Sequence, residues 1–251
     1  EIGLVEAMRI QLSAGKFFDI ADEDGAVEIS NGEWLASVFK KLTRPETISS
    51  VDCGRDFRAE LRPYQKVGLD WLYFMKTLGL GACLADDMGL GKTVQILALL
   101  NHCRNFKNEK TLLVVPASLI GNWASEISRF APSLKYRILH PSENGSGSGL
   151  GSREDEAENT NGSDLFITTY GMLLKYGWLK NVMWNTLVLD EAQAIKNSGT
   201  KQARAVKQLK AGFRVAMTGT PVENKLSDLW SIFDFLNKCL LGSSGEFADI
   251  T

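Results

Sequence analysis

Hydrophobic and polar positions fall into two rhythms along this chain. From Leu61 onward, short apolar runs alternate with longer stretches of helical period. The runs cover residues 82–85, 111–115, 136–139, 165–168, 186–189 and 214–217. Runs that are apolar on nearly every position, each followed by a helix-length segment, predict parallel strands covered on both faces. Crossovers between them are right-handed. A helix is predicted over 63–78, with Pro63 in its first turn, and a second over 94–100. Before Leu61 the pattern differs. Residues 16–21 and 26–29 flank Asp22-Glu23-Asp24-Gly25, which predicts a hairpin. Ser30 and Glu33 are spaced as a capping box for a helix over about 32–42, with Pro45 ending it. We therefore divide the chain into an accessory region, 1–56, and a larger α/β lobe, 57–251. Residues 142–163, rich in Gly, Ser and acidic side chains, predict a mobile polar loop inside that lobe.

Composition narrows the function classes. The chain has 251 residues, 44% hydrophobic and 23% charged, enough apolar material for one large core. Net charge is −2, so a nucleic-acid partner would need local contacts rather than a global positive field. No apolar stretch approaches the roughly 20 residues that span a bilayer, so no membrane role is expected. The four cysteines form no Cys-x-x-Cys pair, and His102 and His140 lie far apart, which predicts free thiols and no zinc. Starting at Glu1 rather than Met, the chain reads as a piece of a longer one.

Chemistry first appears at Asp86-Asp87-Met88-Gly89-Leu90-Gly91-Lys92-Thr93. An apolar strand leads in and a helical pattern leads out, the context of a nucleoside-triphosphate P-loop. Loop N–H groups and the helix N-terminus bind phosphate oxygens. Lys92 is placed to reach the β and γ phosphates of ATP, and the Thr93 hydroxyl to ligate Mg2+. Asp86 stands where the general pattern has glycine, which marks a subclass. A dinucleotide-binding reading of Gly89-Leu90-Gly91 fails because Val94 occupies the position that needs a small residue.

The run 186–189 ends in Asp190-Glu191. Two carboxylates at the end of an apolar strand are costly without a cation. Asp190 suits Mg2+ held through water, and Glu191 suits orienting or deprotonating the attacking water. The alternative is a helix N-terminus that favours acidic residues. The strand carrying this pair would be the neighbour of the P-loop strand in the sheet. The run 214–217 leads into Thr218-Gly219-Thr220, whose hydroxyls would face the same crevice and could link the acidic pair to a neighbouring domain.

Taken in order, these motifs resemble the first motor lobe of the superfamily-two helicases, and more closely the Swi/Snf-type (Snf-two family) DNA-translocating and chromatin-remodelling ATPases. The resemblance rests on Leu61-Arg62-Pro63-Tyr64-Gln65, the loop 84–95, Val115-Pro116-Ala117-Ser118 through Asn122-Trp123, Ile167-Thr168-Thr169-Tyr170, Leu189-Asp190-Glu191-Ala192-Gln193 and Thr218-Gly219-Thr220-Pro221-Val222-Glu223-Asn224. It spans about 58–247. It implies a RecA-like lobe that binds ATP and Mg2+ and contacts the backbone of double-stranded DNA. By that resemblance Gln65 reads the adenine edge, and Arg62 and Tyr64 help shape that pocket. Ser118, Thr168 and Thr169 touch one DNA strand. Gln193, Thr218, Gly219 and Thr220 couple nucleotide state to lobe position. Ser118 also reads as a helix N-cap, and Thr168 and Thr169 as plain strand residues.

Lys201, Arg204, Lys207 and Lys210 recur every three residues, either as a solvated helix face or as a basic stripe toward DNA or the partner lobe. Family motors close a second RecA-like lobe over the nucleotide, and nothing after Pro221 reads as that lobe. The isolated chain is therefore expected to hydrolyse ATP very slowly. Protein partners are expected too, in the nucleoid if the source is bacterial and in the nucleus if eukaryotic. The competing readings are a lobe of an RNA or DNA helicase from another branch, or a non-catalytic nucleotide- or DNA-binding module.

Overall fold

The computed structural model describes residues 8, 33–104, 106, 109–141, 160, 162–220 and 226–248. In chain order its main elements are α1 (Glu33–Thr43), α2 (Pro63–Thr77), β1 (Ala82–Leu84), α3 (Lys92–Cys103), β2 (Thr111–Val115), α4 (Ile120–Phe130), β3 (Tyr136–Leu139), β4 (Leu165–Thr169), β5 (Met183–Leu189), α5 (Lys201–Lys207), β6 (Lys210–Met217), α6 (Leu226–Leu236) and α7 (Ser244–Ala248). The hairpin expected over 16–29 and most of the polar loop over 142–163 lie outside the described residues.

Six strands form one sheet in the order β1-β6-β5-β2-β4-β3, with every pairing parallel. The central strands are buried on both faces, because period-two side chains feed two separate cores. Leu113, Val115, Val188 and Val215 face α2, α3 and α4 on one side. Leu112, Val114, Leu187, Leu189 and Ala216 face the other side, where Trp184, Ile232 and Phe235 close the layer. All six expected strands are present. β5 and β6 begin three and four residues earlier than their apolar runs, at Met183 and Lys210. Their first halves alternate exposed and buried positions, so a search for continuous apolar runs passes over them.

One expectation about the sheet is corrected. The strand carrying the acidic pair, β5, is not the neighbour of the P-loop strand β1. β6 lies between them, pairing Ala82 with Val215 on one edge and Leu189 with Ala216 on the other. The end of β6 thus separates the loop from the carboxylates.

The basic series also splits. Lys201, Arg204 and Lys207 lie on α5, whereas Lys210 opens β6. Lys207 is half-buried, pairs with Asp234 at 2.8 Å and stacks 4.9 Å from the Trp230 ring. It therefore braces α5 against α6, and Lys201 and Arg204 are exposed.

The segment before α2 is bound to the lobe. Val51 joins the core, and its N–H donates to Asp70 at 2.7 Å. Lys66 donates to the Val51 carbonyl at 2.7 Å and contacts Asp70. Asn101 on α3 donates to the Cys53 carbonyl at 2.7 Å. At the far edge, Asn237 brackets Gly81: its amide oxygen accepts the Gly81 N–H at 2.8 Å, and its NH2 donates back to the Gly81 carbonyl. Gly81 has to be glycine, because a Cβ there would sit 2.4 Å from the Leu236 carbonyl oxygen.

Candidate functional site

The chemistry-bearing residues gather at the carboxyl ends of β1, β6 and β5, where a parallel sheet presents its crevice. β1 stops at Leu84, and the chain turns through an exposed loop into α3. Gly89 and Gly91 have φ of +83° and +81°, a region that side chains rarely enter. Gly91 is the N-cap of α3, so Lys92 and Thr93 form its first two positions. Their N–H groups therefore belong to the unpaired N-terminal turn that favours anions.

The Lys92 ammonium folds over the loop, donating to the Asp86 carbonyl at 2.6 Å and the Asp87 carbonyl at 3.1 Å. Asp86, the departure from the general loop pattern, accepts from the Gln95 amide at 2.7 Å. Gln95 is fully buried on the first turns of α3, so this bond ties the start of the loop to the helix that ends it. Gln95 closes the motif 84–95, but only the fold shows that it meets Asp86.

Residues 62–65 come down on the same loop. The Gln65 oxygen accepts the Arg62 N–H at 2.9 Å, capping α2, and its NH2 donates to the Leu90 carbonyl at 2.9 Å. Tyr64 donates to the same carbonyl at 3.0 Å. Gln65 is thus buried against the loop, with Tyr64 and Arg62 exposed beside it. Met88 is 82% exposed at the loop's tip.

Asp190 is buried at the end of β5. One carboxylate oxygen accepts the Trp123 indole N–H at 2.8 Å and the other the Glu191 N–H at 2.9 Å. Tyr170 donates to the Asp190 carbonyl at 2.7 Å. Burial pushes the Asp190 carboxyl above its ordinary range, with the nearby Glu191 charge adding to the shift. The Trp123 and Glu191 hydrogen bonds and the Lys92 ammonium oppose it.

Glu191 adopts φ 50°, ψ 55°, the left-handed region. A non-glycine residue held there is strained, and such strain clusters at functional sites. Its carboxylate accepts from the Gln193 amide, and the Gln193 oxygen accepts from the Thr218 hydroxyl at 3.0 Å. Thr218 in turn accepts the Thr220 N–H at 3.1 Å. Gly219 lies beside the P-loop: a Cβ there would meet the Met88 side chain at 3.2 Å. A continuous line thus runs from the second carboxylate to the end of β6.

The expected DNA contacts lie further along the same edge. Ser118 is exposed in a 3-10 turn, Ala117–Leu119, after β2. It is not the N-cap of α4; that position is Leu119, without a side-chain bond. Thr168 and Thr169 are buried. The Thr168 hydroxyl donates to the Leu139 carbonyl at 3.2 Å, and the Thr169 hydroxyl accepts the Met172 N–H at 3.3 Å. Their side chains serve the fold.

The residues fit a magnesium–nucleotide. Glycine φ angles and an inward-turned lysine form the cradle, and the hard oxygen donors of Thr93 and Asp190 suit Mg2+. Among the described residues no group of three or more His, Cys, Asp or Glu gathers. A metal held by Thr93 and Asp190 would complete its shell with nucleotide and water oxygens. No described helix is long and apolar enough to cross a membrane.

A parallel sheet, a P-loop and an acidic strand end define a RecA-like motor lobe. Comparison with known proteins specifies which kind. The family model described as the SNF2-related domain matches residues 64–250, and the chain belongs to this family. It is 42% identical over 224 residues to YwqA of Bacillus subtilis, covering 88% of this chain and 24% of that protein. It is 37% identical over 223 residues to the chromatin-remodeling ATPase INO80 of Arabidopsis thaliana, covering 82% of this chain and 14% of that one. Among solved structures, the Sulfolobus solfataricus SWI2/SNF2 ATPase core in complex with dsDNA matches with a TM-score of 0.70 and 44% identity. That match covers 80% of this chain and 41% of the other. The chain thus spans less than half of each, and it is an ATP-binding motor lobe related to SWI2/SNF2-type DNA-dependent ATPases.

Proposed function

We propose that this chain is the first of two lobes of an ATP-driven motor that moves along double-stranded DNA and remodels protein–DNA complexes. The observation that carries the reading is the hydrogen-bonded line Glu191–Gln193–Thr218 beside the P-loop. Such a line gives a change at the γ-phosphate a path to a neighbouring lobe.

In this reading Lys92 and the N–H groups of residues 87–93 hold the triphosphate, and Thr93 and Asp190 hold Mg2+. The metal supplies neutralisation of phosphate charge. Glu191 orients the attacking water and accepts its proton. Gln65, Arg62 and Tyr64 frame the adenine. Ser118 and the backbone around Thr168 and Thr169 meet DNA phosphates, positioning without reading sequence. Gln193, Thr218, Gly219 and Thr220 report nucleotide state. Residues 1–56 form an accessory region whose last residues dock on the lobe, and 57–251 form the motor lobe.

An arginine from a second lobe supplies the remaining stabilisation, worth about 10³–10⁵ in rate. The isolated chain then binds MgATP but turns it over very slowly. The test compares ATP hydrolysis by this chain with that of the longer protein, each with and without duplex DNA, beside Lys92→Ala. DNA stimulation only in the longer protein, abolished by Lys92→Ala, supports the reading. Turnover by the isolated chain equal to the longer protein's overturns it.

A further inference from the structure

We infer that Trp123 and Tyr170 are positioning residues that fix Asp190 for its metal and join it to the two segments that face DNA. The inference rests on the proposed function and says how that site is regulated. Its basis is the pattern of hydrogen bonds. Asp190 receives one bond from α4 and another from the segment after β4. Trp123 is fully buried on α4, and its N–H meets the carboxylate at 2.8 Å. Tyr170 is 5% exposed, and its hydroxyl meets the Asp190 carbonyl at 2.7 Å.

Both donors stand a short step from the DNA-facing residues. Trp123 lies in the first turns of α4, directly after the 117–119 turn that exposes Ser118. Tyr170 directly follows Thr169. Motion of either segment on a phosphate backbone is therefore passed to Asp190 through one side chain, with no intervening mobile loop.

The geometry also sets what Asp190 does. Each carboxylate oxygen accepts one N–H, from Trp123 and from Glu191, which fixes the rotation of the carboxylate plane. Each oxygen keeps lone pairs for a metal or its water. Without the indole N–H, one oxygen would be buried with no partner and the plane free to turn. Hydrogen bonds that orient metal ligands typically change metal affinity by 10–100-fold. A buried tryptophan could instead use the carboxylate only to satisfy its own N–H, so the test needs a readout that packing alone does not move.

That readout is the metal gain: the ratio of dissociation constants of the chain for mant-AMP-PNP without and with Mg2+. Asp190→Asn is expected to remove the gain; if it does not, the magnesium reading of Asp190 fails. With that arm in place, Trp123→Phe keeps the apolar bulk but loses the N–H, and is expected to cut the gain about 10-fold. Tyr170→Phe is expected to cut it less, since it acts through the backbone. A Trp123→Phe chain with the wild-type gain overturns the inference. If that variant does not fold, the wild-type indole N–H resonance of Trp123 decides. It should shift when Mg2+ joins the nucleotide-bound chain, and again when duplex DNA is added. A resonance indifferent to both overturns the inference, and one that answers only Mg2+ overturns the link to DNA.

Discussion

Gly91→Ala tests how the P-loop is held. Two independent penalties are expected at this position. Gly91 sits at φ +81°, and an L-residue in that region costs about 1–2 kcal/mol. The new Cβ would also fall 2.4 Å from the Gln65 amide nitrogen. Because that atom ends a flexible side chain, the clash is relieved by swinging Gln65 away. Doing so breaks its bonds to the Leu90 carbonyl and the Arg62 N–H. Each is worth about 1 kcal/mol. The sum is about 3–4 kcal/mol, a large part of the roughly 5–15 kcal/mol that keeps a domain folded. The assay is urea unfolding followed by circular dichroism, in wild type and in Gln65→Ala. In the Gln65→Ala background only the backbone penalty of about 1–2 kcal/mol should remain. An equal cost in both backgrounds would refute the claim that Gln65 is pinned against Gly91. A cost near zero in both would refute the left-handed conformation as well.

Three further outcomes follow from the same geometry. Gly68→Ala places a Cβ 1.9 Å from the Gln95 side-chain oxygen, which is buried with no partner. We expect about 1–3 kcal/mol of overpacking and weaker mant-ATP binding, through loss of the Gln95–Asp86 bond. Unchanged melting and affinity would refute this. Thr218→Val removes the hydroxyl between Gln193 and the Thr220 N–H, costing about 1–3 kcal/mol. In the longer protein it should lower kcat for DNA-stimulated hydrolysis more than it raises KM, and an effect on KM alone would refute the coupling role. Burial pushes the Cys83 and Cys103 thiols up to about 11, so both stay protonated at neutral pH and become thiolates only as pH rises through that value. Their alkylation in the native chain should therefore rise about 10-fold per pH unit from 8 to 10. Exposed Cys239 serves as the internal comparison, and a flat pH profile for Cys83 and Cys103 would refute the assignment.

What was legible in the sequence was whatever is written locally. A strand that is buried on both faces shows as an apolar run, and all six were found, four with bounds within a residue of the structure. Glycines before Lys92 and the Asp190-Glu191 pair carry their chemistry at fixed spacing. The order of strands was not legible, because six runs of similar composition do not say which pair with which. The partners of Asp190 and Asp86 were hidden for the same reason. Trp123 and Gln95 stand inside motifs that carry the family resemblance, but nothing local says which carboxylate each one meets. Only the fold brings Trp123 to a carboxylate 67 positions further along the chain. Thr168 and Thr169 show the converse: their resemblance to a DNA-contacting motif is local, but their hydroxyls are turned inward.

The intervening strand has a consequence for how such a lobe works. With β6 between β1 and β5, the end of β6 has the P-loop on one side and the acidic pair on the other. Gly219 approaches Met88 while Thr218 holds Gln193, so neighbouring backbone positions touch both halves of the site. A polar group in a closed line exchanges one partner for another at modest net free energy, whereas an orphaned buried partner costs about 1–3 kcal/mol. Nucleotide arrival therefore favours rearrangement of the whole line over loss of one bond. In the proposed function, Lys92 leaves two loop carbonyls to meet phosphate, and Glu191 shares its carboxylate between Gln193 and water. Because Thr218 and Gly219 are adjacent, those two exchanges are sensed at one place. On the proposed function, that adjacency makes the β6 end, rather than the P-loop itself, the point at which a partner lobe would feel hydrolysis.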